Sequence, residues 1–161
     1  MIKKIYLDMD GVLTSFHKRF VELYGEEALG FRDKKNFTVY WPDFIQRKEF
    51  EKLEWFPGGQ QLLKYLRKKD IDIEILSSSG GQKYHEVVTE QKKIWLKKQG
   101  LAYKPNIVPG RKHKAEYATP ETILIDDTED VISSFNKAGG IGILHTDVNI
   151  TIERLETLLN T

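Results

Sequence analysis

Residues 122–125 read Thr-Ile-Leu-Ile, apolar at almost every position, and stop on a pair of aspartates, Asp126 and Asp127. A strand with one wet face alternates polar and apolar residues; a strand without that alternation belongs in a parallel sheet covered on both faces. Such sheets are built by repeating strand and helix, and the rest of the chain supplies both. Ile2–Leu7 mixes β-branched and aromatic residues and ends in Asp8-Met9-Asp10-Gly11, a strand entering a turn. Ile71–Leu76 is a second strand, followed by Ser77-Ser78-Ser79-Gly80-Gly81; Asn106–Val108 is a short third and Ile141–Leu144 a last. Between them, Leu62, Leu63 and Leu66 mark one helical stripe. Tyr84–Gln99 forms another helix, with Val87, Val88, Ile94 and Trp95 inward and Gly100 as its stop. Glu129–Ala138 is a third helix, and Ile152, Leu155, Leu158 and Leu159 line the final one. The pattern predicts an α/β fold with a doubly wound, Rossmann-like, mostly parallel sheet.

Residues 16–56 have a different texture. They are rich in aromatics (Phe16, Phe20, Tyr24, Phe31, Phe37, Tyr40, Trp41, Phe44, Phe50, Trp55 and Phe56) and broken by Gly25, Gly30 and Pro42. Phe16, Phe20, Leu23 and Tyr24 fall at helical spacing. The stretch reads as a small, mostly helical insertion after the first strand, closed by Pro57-Gly58-Gly59. Residues 1–15 and 57–161 then form the α/β core domain, and 16–56 the insertion.

In such sheets ligands bind beyond the carboxyl ends of the strands. There this sequence collects Asp8 and Asp10, Ser77 and Ser78, and Asp126 and Asp127, with Lys112 and Lys114 on the approach to the last pair. Ionised carboxylates gathered so closely cost several kcal/mol unless a cation compensates them. Hard oxygen ligands suit magnesium. A phosphoryl group then fits between the metal, a serine hydroxyl, a lysine ammonium and the backbone N–H groups of Ser78–Gly81 at a helix N-terminus.

Other classes recede. The 25 basic and 24 acidic side chains leave a net charge of +1, which gives no general pull toward nucleic acid or an anionic membrane. The pairs Lys3-Lys4, Lys34-Lys35, Lys68-Lys69, Lys92-Lys93 and Lys97-Lys98 read as solvated faces and loop ends. With no cysteine, disulfides, thiolate nucleophiles and Cys-ligated metals are excluded. The chain enters its first strand without a signal-like segment, and no apolar run is long enough to span a bilayer; a cytoplasmic protein with no membrane partner is the expectation. His85 and His113 sit at no metal-ligand spacing and read as exposed residues.

Taken in order, Asp8-Met9-Asp10-Gly11-Val12, a strand ending in Ser77, Lys114, and Ile125-Asp126-Asp127 resemble the four motifs of the haloacid dehalogenase (HAD) superfamily. The segment from Leu7 to Leu13, Trp55-Phe56-Pro57-Gly58, Ile75–Ser79, Gln91–Leu96 and Leu124–Asp127 resemble its 5′(3′)-deoxyribonucleotidases, including those of phages and bacteria. The resemblance implies a Mg2+-dependent phosphomonoesterase acting on deoxynucleoside monophosphates through an aspartyl-phosphate. It implies Asp8 as nucleophile and Asp10 as acid and base. Magnesium would be held by Asp8, the carbonyl of Asp10 and Asp127, with Asp126 and Asp130 around them. Ser77, Ser78 and Lys114 (or Lys112) would bind phosphate. The insertion would be the cap, with Tyr40, Trp41, Trp55 and Phe56 as candidate base contacts and Phe16 near the entrance. The partner is a small molecule; a homodimer is compatible with the resemblance, and a phage-type member would work in its host's cytoplasm. Two other readings stand beside it: the same chemistry on another small phosphate or on nucleic-acid 3′-phosphate ends, and a non-catalytic phospho-accepting module. In the last class paired acids precede the phosphorylated aspartate, the reverse of the order here.

Overall fold

The computed structural model describes residues 1–29 and 34–160, with side chains at all of these except 29 and 34–38. Gly30, Phe31 and the ring of Phe37, read above as part of the aromatic insertion, lie outside the described residues. Strand β1 (Lys4–Leu7) leads through a tight turn to α1 (Phe16–Tyr24), a 3-10 turn at Glu26–Leu29, α2 (Lys34–Gln46) and a 3-10 turn at Glu49–Glu51. Then follow α3 (Gly59–Leu66), β2 (Asp72–Ser78), α4 (His85–Lys98), β3 (Lys104–Val108), a 3-10 helix over Arg111–Tyr117, β4 (Thr122–Asp126), α5 (Glu129–Lys137), β5 (Ile141–Leu144) and α6 (Val148–Leu159).

The five strands form one sheet in the order β3-β2-β1-β4-β5, every pairing parallel. The alternating positions of the strands divide between two cores. Ile5, Leu7, Ile73, Ile75, Ile123 and Ile125 face the larger one with Leu62, Leu66, Val88, Trp95 and Leu155. Tyr6, Leu76 and Leu124 face the other, with Val131, Ile132 and Phe135 of α5. Both faces are covered, which is why β4 needs no polar alternation. Phe20, Phe44 and Phe50 of the insertion join the larger core.

The chain leaves β1 toward β2 and β3 on one side and returns to β4 and β5 on the other. The reversal opens a crevice at the carboxyl ends of β1, β2 and β4. Register fixes what meets there: Leu7 lies beside both Ile75 and Ile125, and the N–H of Asp8 donates to the carbonyl of Ile125 at 3.0 Å.

Three details depart from the sequence reading. Strand β3 begins at Lys104 rather than Asn106. Arg111–Tyr117, unassigned above, winds into a 3-10 helix. In α4 the inward residues are Val88, Gln91, Lys92, Trp95 and Leu96, whereas Val87 is 41% exposed and Ile94 half-buried. Lys92, expected on a solvated face, is 1% exposed. Among the described residues, no helix is long and apolar enough to cross a membrane.

Candidate active site

The turn after β1 is built around Met9. Its carbonyl accepts from the N–H groups of Val12 (3.1 Å), Leu13 (2.8 Å) and Thr14 (2.9 Å), while its side chain is buried in the core. The aspartates on either side of it each meet a buried lysine. Asp8, 5% exposed, has Oδ1 3.1 Å from Lys114 Nζ. Asp10 accepts at Oδ2 from Lys92 Nζ (3.1 Å) and at Oδ1 from the Thr14 hydroxyl (2.8 Å).

At the end of β4, Asp126 is fully buried. Its Oδ2 accepts from Lys114 Nζ at 2.6 Å and its Oδ1 from the backbone N–H of Thr128 at 3.0 Å. Asp127 lies at the surface, where its Oδ1 accepts from the Thr128 hydroxyl at 3.2 Å. One carboxylate oxygen from each of Asp8, Asp126 and Asp127 falls within 4.8 Å of the others, a group that could hold a metal ion. The donor set is all hard oxygen, which suits magnesium over softer metals. Both Asp126 oxygens are already bonded inside the protein, which leaves the freer carboxylate oxygens of this group on Asp8 and Asp127.

Gly11 makes this assembly fit. Its φ is +84°, and a Cβ built there would lie 2.0 Å from Oδ2 of Asp127. Gly11→Ala would therefore displace the Asp127 carboxylate. We expect magnesium to bind roughly ten-fold or more weakly, the scale for disturbing a ligand's support. An unchanged magnesium titration would show that Asp127 is not a ligand.

At the end of β2, Ser77 is fully buried and its Oγ lies 2.6 Å from Lys92 Nζ, which also donates to the Ser78 carbonyl at 2.9 Å. The Ser78 hydroxyl accepts from the N–H of Gly80 at 3.1 Å and shapes the loop. Ser79 is buried against Nδ1 of half-buried His85 at 2.7 Å, so this histidine organises the loop rather than standing free. The ring of Phe50 lies 5.2 Å from Lys92 Nζ, bringing the insertion to the same point.

The structure thus brings together Asp8, Asp10, Asp126, Asp127, Ser77, Ser78 and Lys114. Lys112 is exposed, and Asp130 sits in a surface ion pair with Arg111 (2.8 Å). Of the candidate aromatics, Trp41 adjoins the β2 loop: a Cβ on Gly80 would lie 2.8 Å from its ring. Phe16 packs on Trp41 at 5.9 Å. Tyr40 stacks on Tyr24 (4.7 Å), Trp55 packs on Trp95 (5.0 Å) and donates to Gln99 (3.1 Å), and Phe56 sits 6.0 Å from His145. Lys92 is the site residue that sequence reasoning missed. A signal was present, since it lies on the stripe running from Val88 to Trp95.

Without a metal, the carboxylates repel. Burial first, and Asp126 next, raise the Asp8 carboxyl well above the ordinary range. Burial and Asp126 likewise push Asp127 up to about 6. Burial alone would lower the Lys114 ammonium, but Asp8 and Asp126 outweigh it and hold it above the usual lysine value. Carboxyl groups raised in the folded state favour folding most at low pH. That contribution is fully present below the unfolded value of about 3.9 and is lost as pH rises through the folded one. Magnesium binds the deprotonated form. We therefore expect the rise in Tm on adding magnesium to be larger at pH 7.5 than at pH 5. Equal shifts at the two pH values would count against carboxylate ligation.

No protein-family model matches the chain, and no curated protein matches it by sequence. Solved structures do match. A hydrolase from Streptococcus pneumoniae TIGR4 aligns over 99% of this chain and 99% of its own, with 17% identity and a TM-score of 0.56. A HAD family enzyme from Bacteroides thetaiotaomicron, solved in complex with magnesium and inorganic phosphate, aligns over 91% of this chain and 95% of its own, with 15% identity and a TM-score of 0.54. A D,D-heptose 1,7-bisphosphate phosphatase from Burkholderia thailandensis aligns over 94% and 84%, with 12% identity and a TM-score of 0.54. The chain therefore has the fold of haloacid dehalogenase-like hydrolases. Likeness at these identities is one of fold, and the activity must be argued from the site.

Proposed function

We propose that the chain is a magnesium-dependent phosphomonoesterase working through an aspartyl-phosphate, with deoxynucleoside monophosphates as its substrates. The observation that carries the reading is the buried Lys114 ammonium bridging Asp8 and Asp126 beside a three-carboxylate group at the sheet's topological switch point. The two neighbours that are a phosphatase and a magnesium–phosphate complex agree with it.

In this reading Asp8, the carbonyl of Asp10 and Asp127 hold magnesium. Bound there, the ion would neutralise the carboxylates and the charge that develops on the phosphoryl oxygens. A carboxylate oxygen of Asp8 attacks phosphorus as the bond to the leaving oxygen breaks, and Asp10 gives that oxygen its proton. A water then attacks the phosphoryl group and passes its proton to Asp10. The bond to Asp8 breaks, and inorganic phosphate and the free aspartate are restored. Lys114 and the Ser77 hydroxyl donate to the phosphoryl oxygens throughout.

Residues 16–56 serve as the cap. Trp41, beside Gly80 and packed on Phe16, is the ring best placed to meet a planar leaving group such as a nucleobase. Tyr40, Trp55 and Phe56 then act as packing. The test is phosphate release from deoxy- and ribonucleoside 5′- and 3′-monophosphates, a sugar phosphate and a 3′-phosphorylated oligonucleotide, each with magnesium and with EDTA. Release confined to deoxynucleotides and abolished by EDTA is the expected result. Release from the sugar phosphate or the oligonucleotide instead keeps the chemistry and overturns the substrate, and no release from any of them overturns both.

A further inference from the structure

Lys92 and Lys114 both place a buried ammonium in the crevice, yet their hydrogen bonding differs. An ammonium has three N–H bonds. Lys114 directs two of them at Asp8 Oδ1 (3.1 Å) and Asp126 Oδ2 (2.6 Å), which leaves one for a substrate oxygen. Lys92 uses all three: Asp10 Oδ2 at 3.1 Å, Ser77 Oγ at 2.6 Å and the Ser78 carbonyl at 2.9 Å. Nothing remains for a phosphoryl group unless an existing bond breaks, and breaking one leaves a buried acceptor unpaired.

We infer that Lys92 is a positioning residue for the leaving-group proton transfer, fixing Asp10 and Ser77 without itself binding the phosphoryl group. This rests on the phosphatase reading above. Asp10 is gripped at both oxygens, by Lys92 on one side and by Thr14 on the other. Its carboxyl group is therefore held in one orientation toward the oxygen it must protonate. Ser77 accepts from Lys92, so its own hydroxyl proton is free to point at a phosphoryl oxygen. A single side chain on α4 thus sets the distance between the acid from the β1 turn and the phosphate loop after β2. Transfer of a proton by a positioned group contributes roughly 10²–10⁴-fold, and misplacement of about 1 Å removes much of such an effect.

The choice of leaving group separates positioning from phosphate binding. p-Nitrophenolate departs without needing a proton, whereas the alkoxide of a deoxynucleoside 5′-monophosphate needs one. In single-turnover release of the leaving group, before Asp10 acts as base on water, Lys92→Met should slow nucleoside release roughly a hundred-fold and p-nitrophenolate release less than about five-fold. Inhibition by inorganic phosphate should weaken far less than in Lys114→Met, because Lys114 is untouched and Ser77 keeps its hydroxyl. Lys114→Met should instead weaken phosphate inhibition and slow both substrates. If Lys92→Met behaves like Lys114→Met, Lys92 is a phosphate ligand and the inference fails.

Should Lys92→Met not fold, Thr14→Val decides. It frees the other Asp10 oxygen without disturbing the buried ammonium, and it should show the same bias against the nucleotide, more weakly. An equal fall in the two leaving-group release rates overturns the inference. A parent protein inactive on both substrates is a different failure, which removes the phosphatase reading and this inference with it.

Discussion

Asp8→Asn should yield a folded protein whose phosphate release is slower by on the order of 10⁴-fold or more, since an amide cannot form the phospho-enzyme. The fold should not suffer. In the metal-free protein burial and the facing Asp126 both work against the Asp8 carboxylate; a neutral amide relieves that repulsion. The Tm at pH 8 in EDTA is therefore expected at or above that of the parent, while the magnesium-induced rise shrinks. Both can be read from one thermal series and one phosphate assay. Turnover at the parent rate would show that Asp8 is not the nucleophile, and a collapsed Tm would show that its carboxylate is structural.

Lys114→Met should have the opposite signature. Removing the ammonium leaves Asp8 and Asp126 buried together with no cation between them, a change of the kind that costs about 3–5 kcal/mol. The expected result is a large drop in Tm, smaller in magnesium, which reaches Asp8, and smaller in the Lys114→Met/Asp126→Asn double variant, which removes one of the stranded charges. Lys112→Met, at an exposed position, should leave the Tm near that of the parent. A Lys114→Met protein as stable as the parent would mean that the bridge contributes nothing.

The contrast between these lysines also marks where the sequence was readable. The sheet was legible because the central strands announce themselves locally: β4 is apolar up to Asp126, and β1, β2 and β4 run out into Asp8, Ser77 and Asp126. Asp8, Asp10, Ser77, Asp126 and Asp127 converge because the register of a parallel sheet aligns those ends. Lys92 was not legible in the same way. A lysine in a Lys-Lys pair on a helix is ordinarily solvated, and the acceptors that make its burial tolerable lie far off, Asp10 by 82 positions. The stripe position was visible, but the partners were not. The aromatics were hard for a related reason. Composition announces an aromatic cluster, but only the fold says which rings pack, as Trp55 does on Trp95, and which one reaches the loop at Gly80.

Helix α4 bears on how such a protein could be re-engineered. Three successive inward residues hold the insertion by different means: Gln91 Nε2 donates to the Ile45 carbonyl (2.8 Å), Trp95 Nε1 donates to the Leu53 carbonyl (2.8 Å), and the Lys92 ammonium lies against the Phe50 ring. We therefore expect residues 16–56 and α4 to exchange as one part split across the sequence. Both acceptors are main-chain carbonyls, so a transplanted 16–56 segment satisfies these donors only where its backbone runs in the same place, which is best ensured by moving the donor's own α4 with it. Chimeras that carry both segments should keep an aligned acid while changing what the crevice admits, and the productive unit of shuffling is this discontinuous pair.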